Sequence, residues 1–448
     1  MSLPDPRAAR VFRFVRRDWF PDEGRVDLVY AFDDGPELIE RIRFPGQPPL
    51  RPGREAAFAA ALDLMHWIAG VSYYKAGVPP AIVCEVRSPD PDTAELLELL
   101  YTEGLAEFAH QNGLDLRGRV RFPRGAALEG AAPALGLARR ALVPVGGGKD
   151  SIVTLEALRA AGEPVLAAWV GDSSLIAEVV ARSGLAGLRI ERTLSPLLFE
   201  LNRAGAWNGH IPVTAINSAI LIAAAILADA DEVVFSNERS ASAPTVEADG
   251  RAVNHQWSKG WEFERRFGEL IERHVAADLH YYSLLRPWSE LAVTRRFARY
   301  ETYDDVFSSC NRNFRILGER PESRWCGQCP KCHFVFLALA PFVPKLRLLS
   351  IFGRNLLDDP ELAPGFDALI EWNAAKPFEC VGEAVESRAA FVAIAARPEW
   401  REDELVARFR AEILPRLGAE VPRLDALLQP AGPHRIPARL LSFLDADR

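Results

Sequence analysis

Residues 141–152 read ALVPVGGGKDSI. An apolar run suited to a buried strand meets three glycines, and Lys149, Asp150 and Ser151 then open an apolar helical pattern. A strand that ends in glycines and leads into a helix gathers free backbone N–H groups and the positive end of the helix dipole at one point, where anions bind. Gly146, Gly147 and Gly148 let the backbone come close to an oxyanion, Lys149 adds a mobile charge, and Ser151 can donate from the first helical turn. The order matches neither GxxxxGK[ST] nor GxGxxG. The plain alternative is a glycine-rich turn in which Asp150 and Ser151 only cap a helix.

Around this loop, strand-like runs alternate with helical ones. ALVPV, PVLAAWV, LRIERT and EVVFS read as strands, with helices expected over 151–161, 175–183 and 213–228. That alternation predicts parallel strands joined by crossover helices, an α/β sheet of Rossmann-like form. Upstream, RVFRFVRR, RVDLVYAFD and LIERIRF are separated by turn residues and predict an antiparallel strand group, followed by helices over 54–74 and 93–111. A Gly/Ala/Pro-rich connection near 121–136 marks a boundary. Beyond the cysteines the chain turns helical and Pro-punctuated, with helices expected over 383–396, 402–413 and 438–444. The expected organisation is an N-terminal α+β domain (1–135), an α/β nucleotide domain (136–340) and a helical C-terminal region (341–448) that packs or forms a lid.

The 49% hydrophobic and 25% charged fractions belong to a globular chain, and the net charge of −8 argues against a general polyanion binder, so nucleic acid is not an expected partner. Of the 53 basic residues only six are lysine, which makes each lysine more informative than a surface arginine. The N-terminal MSLPDPRAARVFRF lacks the basic start and apolar core of a secretory signal. The most apolar helical run, residues 215–228, contains Asn217 and Ser218 and falls short of the ~20 residues of a membrane span. A cytoplasmic location without membrane contact is the expectation.

Cys310 and the tight triplet Cys326, Cys329 and Cys332 supply four thiolates at a spacing that closes a tetrahedral zinc site. Four sulfurs leave no open coordination position, so the site reads as structural. An iron–sulfur cluster is the alternative, and His333 either replaces a cysteine or, as expected, packs beside the site.

The glycine loop resembles the pyrophosphate loop of the N-type ATP pyrophosphatases, Ser-Gly-Gly-x-Asp-Ser/Thr. Gly146 stands where that family most often has serine, and Gly147, Gly148, Asp150 and Ser151 match. The run GHIPVTAINSAILIAAAILADADEVVFSNERSAS and the cysteine quartet are similar to segments of the deazaguanine nitrile synthases within that superfamily. Pro212, Asn217 and Glu238 fall at matching positions, Pro212 as a helix-start residue. In such adenine nucleotide α-hydrolase-like folds the strand ends form one rim, which implies that Asp172, Asn237 and Glu238 approach the nucleotide. Where the nitrile synthases read their base, this chain has VNHQWSKGWEFERRF (253–267). His255 and Lys259, an imidazole and a rare lysine four residues apart, suit proton transfer or carboxylate recognition.

With FDDGPELIERIRFPG and HWIAGVSYYKAG, the whole chain resembles the ATP-dependent epimerases of peptidoglycan synthesis, which act on UDP-N-acetylmuramoyl-L-alanyl-L-glutamate. The resemblance implies a UDP-linked muramoyl dipeptide as substrate, with ATP and Mg²⁺. The glycine loop and Ser151 would hold pyrophosphate, Lys149 would stabilise its charge, and Asp150 would position Mg²⁺. His255 and Lys259 are the acid/base candidates, Tyr281 and Tyr282 are reserves, and His210 is a supporting residue. Competing readings are another adenylating enzyme of the same fold that amidates or ligates a carboxylate, a tRNA-modifying enzyme, and a nucleotide-binding module without catalysis.

Overall fold

The computed structural model describes residues 5–248, 250–315, 320–418 and 423–445; residues 1–4 of the N-terminal stretch and 316–319 of the cysteine segment lie outside the described residues. The three alternating upstream runs form β1 (Val11–Phe20), β2 (Arg25–Phe32) and β3 (Leu38–Arg43), each antiparallel to the next, and β4 (Ala81–Cys84) adds parallel to β1. Downstream lie β5 (Ala141–Pro144), β6 (Val165–Val170), β7 (Ala186–Thr193) and β8 (Glu232–Phe235), as the apolar runs predict. A short hairpin follows, β9 (Val246–Ala248) with β10 (Arg251–Val253), and then β11 (His280–Ser283).

The two strand groups make one sheet of nine strands in the order β11-β8-β5-β6-β7-β3-β2-β1-β4. Pairing from β5 to β8 and outward to β11, and from β5 through β6 to β7, is parallel. The seam is the antiparallel pair β3/β7, registered by Ile42 against Arg192. Arg192 crosses it to Glu40 at 2.7 Å, and Glu40 is fully buried, so the sheet carries a buried ion pair where its halves meet.

The order places the site. From β5 the chain steps to β6 and β7 on one side, then crosses to β8 on the other, and the crevice of an open α/β sheet forms at such a switch, beyond the carboxyl ends of the strands. The glycines after β5 and the Ser236–Asn237–Glu238 turn after β8 meet there.

Helix Val213–Ala228 is buried almost throughout and packs on helix Glu55–Ala69. Among the described residues, the one helical run long and apolar enough to cross a membrane, Glu55–Tyr74, is itself mostly buried in the core. The helix expected over 93–111 is two, Pro91–Thr102 and Ala106–Gln111, parted at Gly104, where a Cβ would stand 2.4 Å from the Leu100 carbonyl oxygen. The helix expected over 402–413 starts as Glu404–Arg408 and continues as a π-helical turn, Phe409–Ile413. The C-terminal helices pack against the cysteine-bearing helix Pro330–Leu339 and share its core.

Candidate functional site

A cavity of about 340 Å³ lies at the switch point, walled by the glycine loop, Asp150, Ser151, Asn217, Asn237, Glu238, Lys259, Lys331 and Cys380. Helix Lys149–Ala160 begins at its edge, with Gly148 as N-cap. Gly147 has φ +83°, a left-handed conformation natural only to glycine, and its carbonyl accepts from the Ser308 N–H at 2.9 Å. Among the described residues, the N–H groups of Gly146, Gly147 and Gly148 have no hydrogen-bond acceptor. Ser151 Oγ donates to the Gly148 carbonyl at 3.1 Å. These free donors at the start of a 12-residue helix form a cradle whose polarity suits an anion.

Lys149 does not face the cradle. Its side chain is 1% exposed and its ammonium is paired with Asp150 and with Glu290 of helix Glu290–Phe297. Burial opposes the ammonium charge, yet Asp150 and Glu290 raise the Lys149 pKa, and Lys149 in turn keeps Glu290 ionised. Lys331, between Cys329 and Cys332, lines the cavity, reaches the Cys380 carbonyl, and stands 3.7 Å from Glu290.

Asn237 and Glu238 leave β8 into the cavity wall. Asn237 is clamped by Ser283, whose hydroxyl donates to its carbonyl at 2.7 Å. Arg286, 2% exposed, donates to the Glu238 carbonyl at 2.7 Å and to the Lys259 carbonyl, and pairs with buried Glu264 at 2.7 Å. One guanidinium thereby fixes the backbone beneath both Glu238 and Lys259. Burial, with repulsion from Glu290 and Asp150, raises the Glu238 pKa to about 8. Asp172, expected on the same rim, is exposed beyond β6 and is not part of the cavity wall. The wall there is made by Trp169 and Val170, and Gly171 (φ +108°) separates them from Asp172.

His255 and Lys259 are brought together through a residue the sequence reading left unused. Lys259 Nζ lies 3.2 Å from Cys380 Sγ, and His255 bonds Glu107 and is electrostatically coupled to Cys380. Burial opposes the His255 charge, but Cys380 and Glu107 raise its pKa to about 9. Burial and the neighbouring His255 charge lower His210 to about 4; its ring lies tilted with its centroid 4.3 Å from that of His255. Tyr281 and Tyr282 do not serve as reserves. Both are about 1% exposed, with hydroxyls bonded to Ser218 and Glu232 in the core, and burial pushes both above the usual phenol range.

The four cysteines converge: the Sγ atoms of Cys310, Cys326, Cys329 and Cys332 lie within 4.8 Å of one another. Cys332 Sγ is 3.7 Å from Cys326 Sγ and 3.4 Å from Cys329 Sγ. A tetrahedron with Zn–S bonds of about 2.3 Å has sulfurs about 3.8 Å apart, so this donor set fits zinc. His333 stays outside it, stacked on Phe366 at 4.8 Å.

Glu107, Glu290, Lys331 and Cys380 were not legible as site residues. A signal existed for two: Lys331 is one of six lysines and Cys380 is a cysteine outside the quartet. Glu107 and Glu290 are two acidic residues among 61 with no local pattern.

Comparison with known proteins divides the chain into two matched regions. A family profile described as the MurL N-terminal domain matches residues 4–284, and one described as the MurL C-terminal domain matches residues 306–421. The UDP-N-acetyl-alpha-D-muramoyl-L-alanyl-L-glutamate epimerase of Xanthomonas oryzae pv. oryzae is 57% identical over 441 residues, 98% of each chain. The proteins of that name from Salinispora tropica and a Micromonospora species are each 44% identical, over 94% and 97% of this chain and 92% and 98% of theirs.

Proposed function

The chain belongs to the MurL family of UDP-N-acetyl-alpha-D-muramoyl-L-alanyl-L-glutamate epimerases, and we propose that it inverts the glutamate of the muramoyl dipeptide through an acyl-adenylate formed from ATP. The chemistry explains why a nucleotide is needed. An α-proton beside an ionised carboxylate is very weakly acidic, because its removal places a second negative charge next to the first. Adenylation of that carboxylate removes the charge and gives an enolate with a stabilised oxygen.

In this reading the terminal L-glutamate carboxylate attacks the α-phosphorus of ATP and pyrophosphate leaves. Proton removal, reprotonation on the opposite face and hydrolysis then yield AMP and the D-glutamyl product. The cradle of Gly146, Gly147 and Gly148, with Ser151, would receive the pyrophosphate. Lys331 faces the cavity and takes the role of phosphate-facing cation that the loop order assigns to Lys149. Lys149 instead aims Asp150, the residue to hold Mg²⁺, which would neutralise phosphate charge. Cys310, Cys326, Cys329 and Cys332 would hold zinc as a structural clamp.

The observation that carries the reading is the row of unpaired loop N–H groups at a helix start, opening on the cavity that also holds Lys259. The test is incubation with ATP, Mg²⁺ and the L-glutamyl precursor in D₂O. AMP and an α-deuterated D-glutamyl product are expected in equal amounts; inversion at full rate without ATP would overturn the adenylate.

A further inference from the structure

Epimerisation needs an acid/base group on each face of the reacting carbon, and the cavity wall contains a cysteine to which the mechanism above gives no part. Cys380 comes from the segment between helices Ala363–Leu369 and Ala384–Ala395, far in sequence from every other group of the cavity. It is half-buried at the wall, with Lys259 Nζ 3.2 Å from its sulfur and His255 electrostatically coupled to the same sulfur. Glu107 holds His255 from behind, and Lys331 reaches the Cys380 carbonyl from the helix Pro330–Leu339. Two cationic side chains directed at one sulfur, His255 held in turn by Glu107, are an arrangement for keeping a thiolate.

We propose that Cys380 is the acid/base group on one face of the activated glutamyl α-carbon, with Lys259 and His255 as the residues that hold its thiolate. This rests on the acyl-adenylate reading and deepens it. As base, the thiolate takes the α-proton: the C–H bond breaks, an S–H bond forms, and the electron pair passes into the enolate. A second acid of the cavity wall, for which Glu238 is available, protonates the other face, and exchange with water restores both groups. In the reverse direction the thiol returns its proton to carbon.

The charges around Cys380 agree with this. Burial alone would raise the thiol, yet the Lys259 ammonium and His255, with Lys331 beyond, lower it to about 5. The acidic neighbour Glu379 is itself raised by its own burial and by the Cys380 charge. His255 is 13% exposed at its side chain and does not line the cavity, so it acts on the substrate through the sulfur. Lys259 lines the wall but is tied to the sulfur it supports.

The test uses the full-length enzyme and Cys380→Ser, a near-isosteric change that keeps a polar group and abolishes the thiolate. AMP release from the L-glutamyl precursor is expected within about threefold of wild type, while inversion falls at least 100-fold, within the range of a general acid/base group. Inversion within tenfold of wild type overturns the proposal, as does a parallel loss of AMP release, which would make Cys380 a support for adenylation. Failure of the wild-type enzyme to form AMP would instead overturn the adenylate reading. A second measurement is independent of activity: the rate of Cys380 alkylation by iodoacetamide, read by mass spectrometry across pH. The expected profile has its midpoint well below that of an ordinary thiol, and Lys259→Met slows labelling at pH 7 at least tenfold. A midpoint near 8.5, the ordinary thiol value, overturns the proposal.

Discussion

Lys149 belongs to the glycine loop in sequence, yet its ammonium is paired with Glu290, 141 positions further along, and is withdrawn from the cavity its neighbours line. The pair anchors the start of helix Lys149–Ala160 to helix Glu290–Phe297, and with it the carboxylate of Asp150.

Glu290→Gln leaves two buried ammonium groups, those of Lys149 and Lys331, short of a counter-charge. Breaking a buried pair from one side costs about 3–5 kcal/mol, so a loss of that order is expected in urea unfolding. A neutral result would mean that Asp150 alone balances Lys149.

Asp150→Asn keeps the shape of the cavity wall but removes the carboxylate assigned to Mg²⁺. AMP release is expected to fall at least 100-fold, while unfolding shifts by about 1 kcal/mol or less because the side chain is only half-buried and Glu290 still pairs Lys149.

Gly147→Ala and Gly146→Ser are expected to part company. Gly147 sits at φ +83°, so a side chain there adds about 1–3 kcal/mol of strain, and the KM for ATP should rise at least tenfold as the cradle distorts. Beside Gly146 a Cβ would meet nothing within 4 Å. A serine at that position should leave stability unchanged and bind nucleotide as tightly or more tightly, measured by isothermal titration calorimetry.

Cys329→Ser breaks the four-sulfur set. One zinc per chain is expected in the native protein by colorimetric chelation, and less in the variant, with a destabilisation above about 3 kcal/mol. AMP release should fall with it, because Lys331 reaches the cavity from between Cys329 and Cys332.

His255 gives a pH dependence of defined sign. Its folded pKa of about 9 lies above the free imidazole value of about 6.5, so its contribution is fully present below pH ~6.5 and is lost as pH rises through about 9. The full shift corresponds to ~3 kcal/mol, shared between Glu107 and Cys380. Glu107→Gln should therefore destabilise most near pH 6 and least near pH 9.5 in urea unfolding; a gap that widens with pH would contradict the ion pair.

Much of the fold is local and was readable. The apolar runs at β5, β6, β7 and β8 and the alternating runs at β1, β2 and β3 appear where period and turn residues put them. The joining of the two groups was not readable, because β3 and β7 carry the arginines and glutamates of edge strands. Only their pairing turns Glu40 and Arg192 inward as a buried couple.

The sequence by itself determined what a short stretch can encode. It specified a glycine turn at a strand-to-helix junction, where glycine's freedom at positive φ and the helix start act within a few residues. It also specified a thiolate quartet whose tight triplet needs only a turn and one distant cysteine. Tertiary structure alone decided which charges face the cavity. Lys149 turns away because Glu290 offers a carboxylate in a buried place, and Lys331 turns in. His255 becomes the partner of Cys380 because Glu107 and Cys380, 273 residues apart in number, both reach it. Side-chain charges act over a few ångströms of space regardless of chain separation, and no local pattern records that neighbourhood.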